Sequence, residues 1–97
     1  MKVDKKSLEF EWDEGNIGKN NKHDVEDSES EEAFLDGNKV ILRDVLHSEN
    51  EERFILLGRT KKERLLYIAF TKRGEKVRII SARNINIKEV DLYEKAA

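Results

Sequence analysis

The hydrophobic positions change period along the chain, and each change predicts an element. Leu8, Phe10 and Trp12 alternate with acids, which suits a short edge strand. Asp13 stands where a helix cap would. The stretch EGNIGKNNKH after it carries two glycines and three asparagines, with Ile17 as its one aliphatic anchor, so it predicts a short helix or a turn-rich segment. Asp24–Glu32 is an almost unbroken acidic run that reads as a solvated loop. Ser28 or Ser30 then caps a helix through Leu35, and Asp36-Gly37-Asn38 stops it.

From Lys39 the pattern turns to strands. KVILRD at 39–44, RFILLGR at 53–59 and RLLYIAFTK at 64–72 are apolar runs separated by polar turns. The third is apolar on both faces, which predicts a central strand. In the fourth run, at 76–83, Val77, Ile79 and Ser81 point one way and Arg78, Ile80 and Ala82 the other. Asn86 with Glu89 three residues on is a capping box, and Val90 and Tyr93 share a helical face, so a helix follows at 87–95. The expected fold is α+β: a short strand and helices first, a four-stranded antiparallel sheet in sequence order, and a C-terminal helix on it. Residues 1–7 read as a flexible polar leader, and 8–97 as one domain.

Composition sharpens this picture. The 97 residues are 37% hydrophobic and 41% charged, so the core must be concentrated, and the second half supplies it. There is no cysteine, hence neither a disulfide framework nor a thiolate metal site, which suits a reducing cytoplasm. No apolar run approaches a membrane span. Net charge divides sharply: residues 1–52 hold 16 acids and 7 bases, a net of −9, while 53–97 hold 5 acids and 12 bases, a net of +7. Such asymmetry suits either a polyanion-binding face or two halves that neutralise each other in the fold.

Arginine on a packed strand is costly unless it is paired or used, so Arg78 and Arg83 draw the eye. Five residues apart, they fall on opposite faces of a regular strand. They converge only if the chain bulges or bends near Ser81–Arg83.

Several motifs fall in a shared order: FEWD at Phe10–Asp13, Lys19-Asn20, Lys22-His23, EEAF at Glu31–Phe34, Asp44 with His47, EERF…LGR at Glu51–Arg59, FTKRG at Phe70–Gly74, RIISAR at Arg78–Arg83, and Glu89 with Tyr93. In this the chain resembles BrnT-like toxins of bacterial type II toxin–antitoxin systems, over essentially everything after Ser7. The resemblance implies a RelE-like domain, cytoplasmic ribonuclease activity on RNA, and neutralisation by a BrnA-like antitoxin with a DNA-binding element, so that DNA is met only through the antitoxin. Where the family has Gly-Val after the histidine, this chain has Asp24-Val25. Aspartate tolerates the left-handed turn that glycine would make there.

RNA cleavage without a metal needs a base for the 2′-hydroxyl, an acid for the leaving 5′-oxygen, and cations for the charged phosphorane. The arginine fork suits the last task. The catalytic candidates are therefore Arg59, Arg78 and Arg83, with His23 as general acid or base, since histidine exchanges protons near neutral pH. Lys22, Lys72 and Tyr93 are candidate RNA contacts. No cofactor or metal is expected; His47 with Asp44 and Glu49 is too sparse a set for a metal. Each arginine has a plainer reading as a salt bridge to the acidic half. The alternative function is a catalytically inactive RNA- or antitoxin-binding module of the same fold.

Overall fold

Four of the apolar runs form the meander they predict. The computed structural model describes residues 8–96, so the leader expected at 1–7 lies outside the described residues. Strands β2 (Val40–Arg43), β3 (Arg53–Arg59), β4 (Leu65–Arg73) and β5 (Lys76–Asn84) pair antiparallel in sequence order. The sheet is not four-stranded, however. β1 (Glu9–Phe10) adds to the outer edge of β5 in parallel, giving a five-stranded mixed sheet in the order β1-β5-β4-β3-β2. The long excursion from β1 to β2 and the β2–β4 meander after it together form the crossover that the parallel pairing of β1 with β5 needs.

That excursion departs most from expectation. The acidic run is largely helical: α1 spans Asp27–Phe34. It starts before either candidate serine, on Glu26, whose backbone N–H donates to Glu29 Oε1 at 3.0 Å. Early acids favour a helix N-terminus through the macrodipole, which makes a solvated loop unnecessary. Ser30 is fully buried, as are Ala33 and Phe34. Phe34 meets Phe10 and Phe70 edge-on at 5.2 and 5.0 Å, which ties α1 to β1 and β4. Gly58 on β3 lets α1 come close, since a Cβ there would lie 2.5 Å from the Ala33 carbonyl oxygen.

The segment 15–25 holds a second correction. Ile17 is 60% exposed and anchors nothing, while Asn16 and Asn20 are buried. Asn16 Nδ2 donates to the Ile79 carbonyl at 3.1 Å, and Ala82 N–H donates to Asn20 Oδ1 at 3.0 Å. The two amides thus close the part of β5's edge that β1 does not reach. The 3-10 turn Lys19–His23 ends on Asp24, whose φ of +60° is the left-handed turn the sequence calls for.

α2 (Ile87–Ala96) packs on the opposite face of the sheet from α1. Its capping box forms as read: Asn86 N–H donates to Glu89 Oε1 and Glu89 N–H to Asn86 Oδ1, both at 2.9 Å. Val25, Ala33, Phe34, Leu56, Ile68, Phe70 and Ile79 lie in the larger core on the α1 side, and Ile55, Leu57 and Tyr93 in the smaller one under α2.

Candidate functional site

Strand pairing decides which arginines share a face. Ala69 pairs with Ser81 but Phe70 with Ile79, so Ile80 is an extra, unpaired residue on β5. This bulge inverts the alternation beyond it. Val77, Ile79 and Ala82 all enter the α1-side core, in place of the regular alternation expected. Arg78 and Arg83 consequently stand on the same face, the one that carries α2.

Two cross-strand rows define that face. Arg53, Thr71 and Arg78 are directly opposite one another, and so are Leu57, Tyr67 and Arg83. The rows are four residues apart on β4, roughly 13 Å at ~3.3 Å per residue. Arg59, at the far end of β3, and Arg73, at the end of β4, share this face by parity.

Arg83 has the most developed environment. Its guanidinium carbon lies 3.9 Å from the Tyr67 ring centroid, a cation–π stack. Its Nη1 and Nη2 donate to Glu89 Oε1 and Oε2 at 3.0 and 2.8 Å, and Nη1 also donates to the Asn84 carbonyl. The side chain is still 39% exposed. Five N–H donors are available to a guanidinium. Three are used, and Nε–H and the second Nη2–H have no partner among the described residues. These two lie along one edge, the edge that grips an oxyanion side-on. Hydrogen bonds donated to Glu89 raise the Arg83 pKa against the opposing effect of burial. Burial pushes the Glu89 carboxyl up, but the bonds from Arg83 and the Asn86 N–H outweigh it and hold the group below its ordinary value. Glu89 is therefore a firmly ionised clamp.

The other arginines differ. Arg78 is tied to Asp13 by Nη1 and Nη2 at 2.8 and 2.9 Å and to Glu11 at 3.1 Å. Its side chain is only 14% exposed, and it pins the turn that begins at Asp13 to β5. Arg64 and Arg73 likewise take acids from the first half, Glu29 and Glu11. Part of the charge asymmetry is thus neutralised internally. Arg59 forms no ion pair among the described residues; its guanidinium lies 5.6 Å from the Tyr93 ring centroid, and its buried Nε has no partner.

Two candidate RNA contacts are not brought to Arg83. Lys72 pairs with Val77, which lies in the α1-side core, so alternation turns it to the other side of the sheet. Tyr93 is buried, and its hydroxyl donates to Asp36 Oδ2 at 2.6 Å, so it packs α2 on the sheet and braces Asp36. Lys22 and His23 are exposed at the end of the 3-10 turn, beside the edge of β5. The His23 carbonyl accepts from Arg64, whose Nε donates to Asn84 next to Arg83. His47 pairs with Asp44 at 2.8 Å, and among the described residues no group of three or more His, Asp or Glu is placed to hold a metal ion.

Sequence reasoning missed Tyr67 and the clamp role of Glu89. The capping box already signalled Glu89. Tyr67 needed the register of β4 on β5, which the bulge hides.

Comparison with known proteins completes the description. The family model described as "Ribonuclease toxin, BrnT, of type II toxin-antitoxin system" matches residues 12–89. No curated protein matches the chain.

Proposed function

The chain belongs to the BrnT family of ribonuclease toxins of type II toxin–antitoxin systems, and on that premise we propose that it is a metal-independent endoribonuclease neutralised by a BrnA-like antitoxin. The observation that carries this reading is the half-exposed Arg83 guanidinium, stacked on Tyr67 and clamped by Glu89 with one donor edge free. In the reaction, a 2′-oxygen loses its proton and attacks the adjacent phosphorus. The phosphorane gains negative charge on its non-bridging oxygens, and the 5′-oxygen leaves with a proton. Arg83 stabilises that charge through Nε–H and Nη2–H. Because the clamp already fixes the guanidinium, little reorganisation is needed at the moment of reaction.

Arg59, free of any ion pair among the described residues, adds positive potential at the far end of β3. Arg78 is engaged by Asp13 and Glu11, so its part is to hold the wall of the site. His23 exchanges the proton, from a turn tethered through Arg64 and Asn84 to the strand end that carries Arg83. Lys22 beside it meets a neighbouring phosphate. No described helix is long and apolar enough to cross a membrane.

The test is cleavage of a structured RNA by the purified chain in excess EDTA. Fragments ending in a 2′,3′-cyclic phosphate and beginning with a 5′-hydroxyl are expected. Retarded but intact RNA would favour the inactive binding module, and activity abolished by EDTA would overturn the metal-independent mechanism.

A further inference from the structure

Four of the seven large apolar side chains exposed among the described residues line one groove: Leu42, Val45, Leu46 and Leu92. Its volume is about 340 Å³, the size of a small-molecule site. Ile55 and Leu57 supply part of its floor on the sheet, and the 3-10 turn Val45–His47 and α2 supply walls. Tyr67 and Glu89 line it as well, and both touch the Arg83 guanidinium, so the groove opens directly beside the donor edge that Arg83 leaves free.

The polar groups of the lining decide what it takes. Asp44 and Glu89 both bring carboxylates, which disfavours a phosphate or any acidic ligand. Arg43 does not offset them. It pairs with Phe54, which packs on the α1-side core, so its side chain leaves on the other face of the sheet. Glu89 is already engaged by Arg83 and the Asn86 N–H. Asp44 has acceptor capacity to spare. Its Oδ2 pairs with His47 Nδ1 at 2.8 Å, but its Oδ1 has no partner among the described residues, although the side chain is only 16% exposed. A carboxylate so sheltered gains from added donors. Burial raises the pKa of the Tyr67 phenol; Arg83 opposes the rise, and the Asp44 and Glu89 carboxylates add to it. The fitting ligand is therefore neutral, apolar on its faces, and rich in donors along one edge.

A nucleobase has that form, and single-stranded RNA is read by burying bases and bonding their Watson–Crick edges. Guanine alone presents two adjacent donors there, N1–H and the 2-amino group, which one carboxylate accepts side by side. Adenine and cytosine offer one amino group, and uracil one imino N–H. We infer that the groove is a base-specificity pocket that takes a guanine next to the phosphate held by Arg83, with its faces against the aliphatic walls and its Watson–Crick edge on Asp44. That the ligand is RNA rests on the toxin reading above, and the preference for guanine is measured by binding without cleavage.

The probes are octamers of 2′-O-methyluridine, which lack the attacking hydroxyl, with one central guanine, hypoxanthine, adenine or cytosine. Hypoxanthine is guanine without its 2-amino group. Fluorescence anisotropy should show wild type binding the guanine octamer about tenfold or more tighter than the other three, the discrimination one bidentate pair provides. Asp44→Asn should bring the four affinities together. It should also unfold at the wild-type temperature, because the bonds from Asp44 N–H to the Arg53 carbonyl and from Ser48 to the Asp44 carbonyl are kept. Cuts in a cleavable RNA should fall beside guanosines in wild type and lose that bias in Asp44→Asn. Equal affinity of wild type for the four octamers overturns the proposal, as does a guanine preference that survives Asp44→Asn. Sedimentation showing a wild-type dimer that Leu92→Glu dissociates overturns it too, by assigning the groove to a second copy. If wild type cleaves no RNA but its guanine preference depends on Asp44, the nuclease reading fails and the pocket stands.

Discussion

Replacing Glu89 with Gln isolates the charge of the clamp. Glutamine still serves at the third helical position of a capping box, so Asn86 N–H keeps its acceptor. What goes is the ionic part of the two bonds from Arg83. Hydrogen bonds to charged groups contribute about 1.5–3 kcal/mol. The Arg83 side chain is 39% exposed, so solvent screening reduces this to about 1 kcal/mol. For a domain of this size that lowers Tm by about 4–8 °C. The pH dependence follows from the sign of the Glu89 shift. Its folded pKa is depressed below the ordinary glutamate value of 4.5, so its contribution is full above that value and is lost as pH falls through the folded value. Thermal melts of both proteins should therefore differ by a constant amount from pH 6 to 7 and converge at pH values below 4.5. RNA cleavage by Glu89→Gln should drop about tenfold rather than vanish, since a positioning residue is lost and not the proton acceptor. Equal melting temperatures at pH 7, or a gap undiminished in acid, would refute the clamp.

Three further changes test the scaffold. Gly58→Ala drives a Cβ to 2.5 Å from the Ala33 carbonyl oxygen and should cost about 1–3 kcal/mol, read as a lowered denaturation midpoint. Asn20→Ala leaves the buried Ala82 N–H without its acceptor and should also cost about 1–3 kcal/mol, with faster amide exchange at Ala82. Arg78→Ala should loosen the Asp13 turn, seen as faster exchange at the Gly15, Asn16 and Ile17 amides, and should reduce cleavage less than loss of Arg83 does.

The β2–β5 meander was legible because each strand is a dense apolar run ended by turn residues, and α2 because its box is spelled out by Asn86 and Glu89. The 15–25 segment was not legible. Apart from Val25, its buried positions are Asn16 and Asn20, whose value lies in hydrogen bonds to β5 residues 63 and 62 positions away, and no local pattern encodes such partners. Hydrophobicity favoured Ile17, which faces water. The bulge at Ile80 was equally hidden, since Ile79, Ile80 and Ala82 are all apolar and only their pairing tells which one is extra. The arginines were found by type, yet type could not separate Arg78, bound to Asp13, from Arg83, with donors to spare. The parallel β1 was half seen: the alternation at Leu8–Trp12 gave the strand but not its partner.

If the Arg83 guanidinium acts on a phosphate rather than on the fold, its removal lowers the cleavage rate far more than the stability. Cleavage of a structured RNA and thermal unfolding should be measured for wild type, Arg83→Ala and Arg83→Lys. Loss of one preorganised donor group costs on the order of a hundredfold or more in rate. Arg83→Ala should fall by at least that much while losing only about 1 kcal/mol of stability, because its ion pair is partly exposed. Arg83→Lys keeps the charge without the fork and should retain intermediate activity. A folded Arg83→Ala protein that cleaves at the wild-type rate would remove Arg83 from the reaction and leave it as a salt bridge to Glu89.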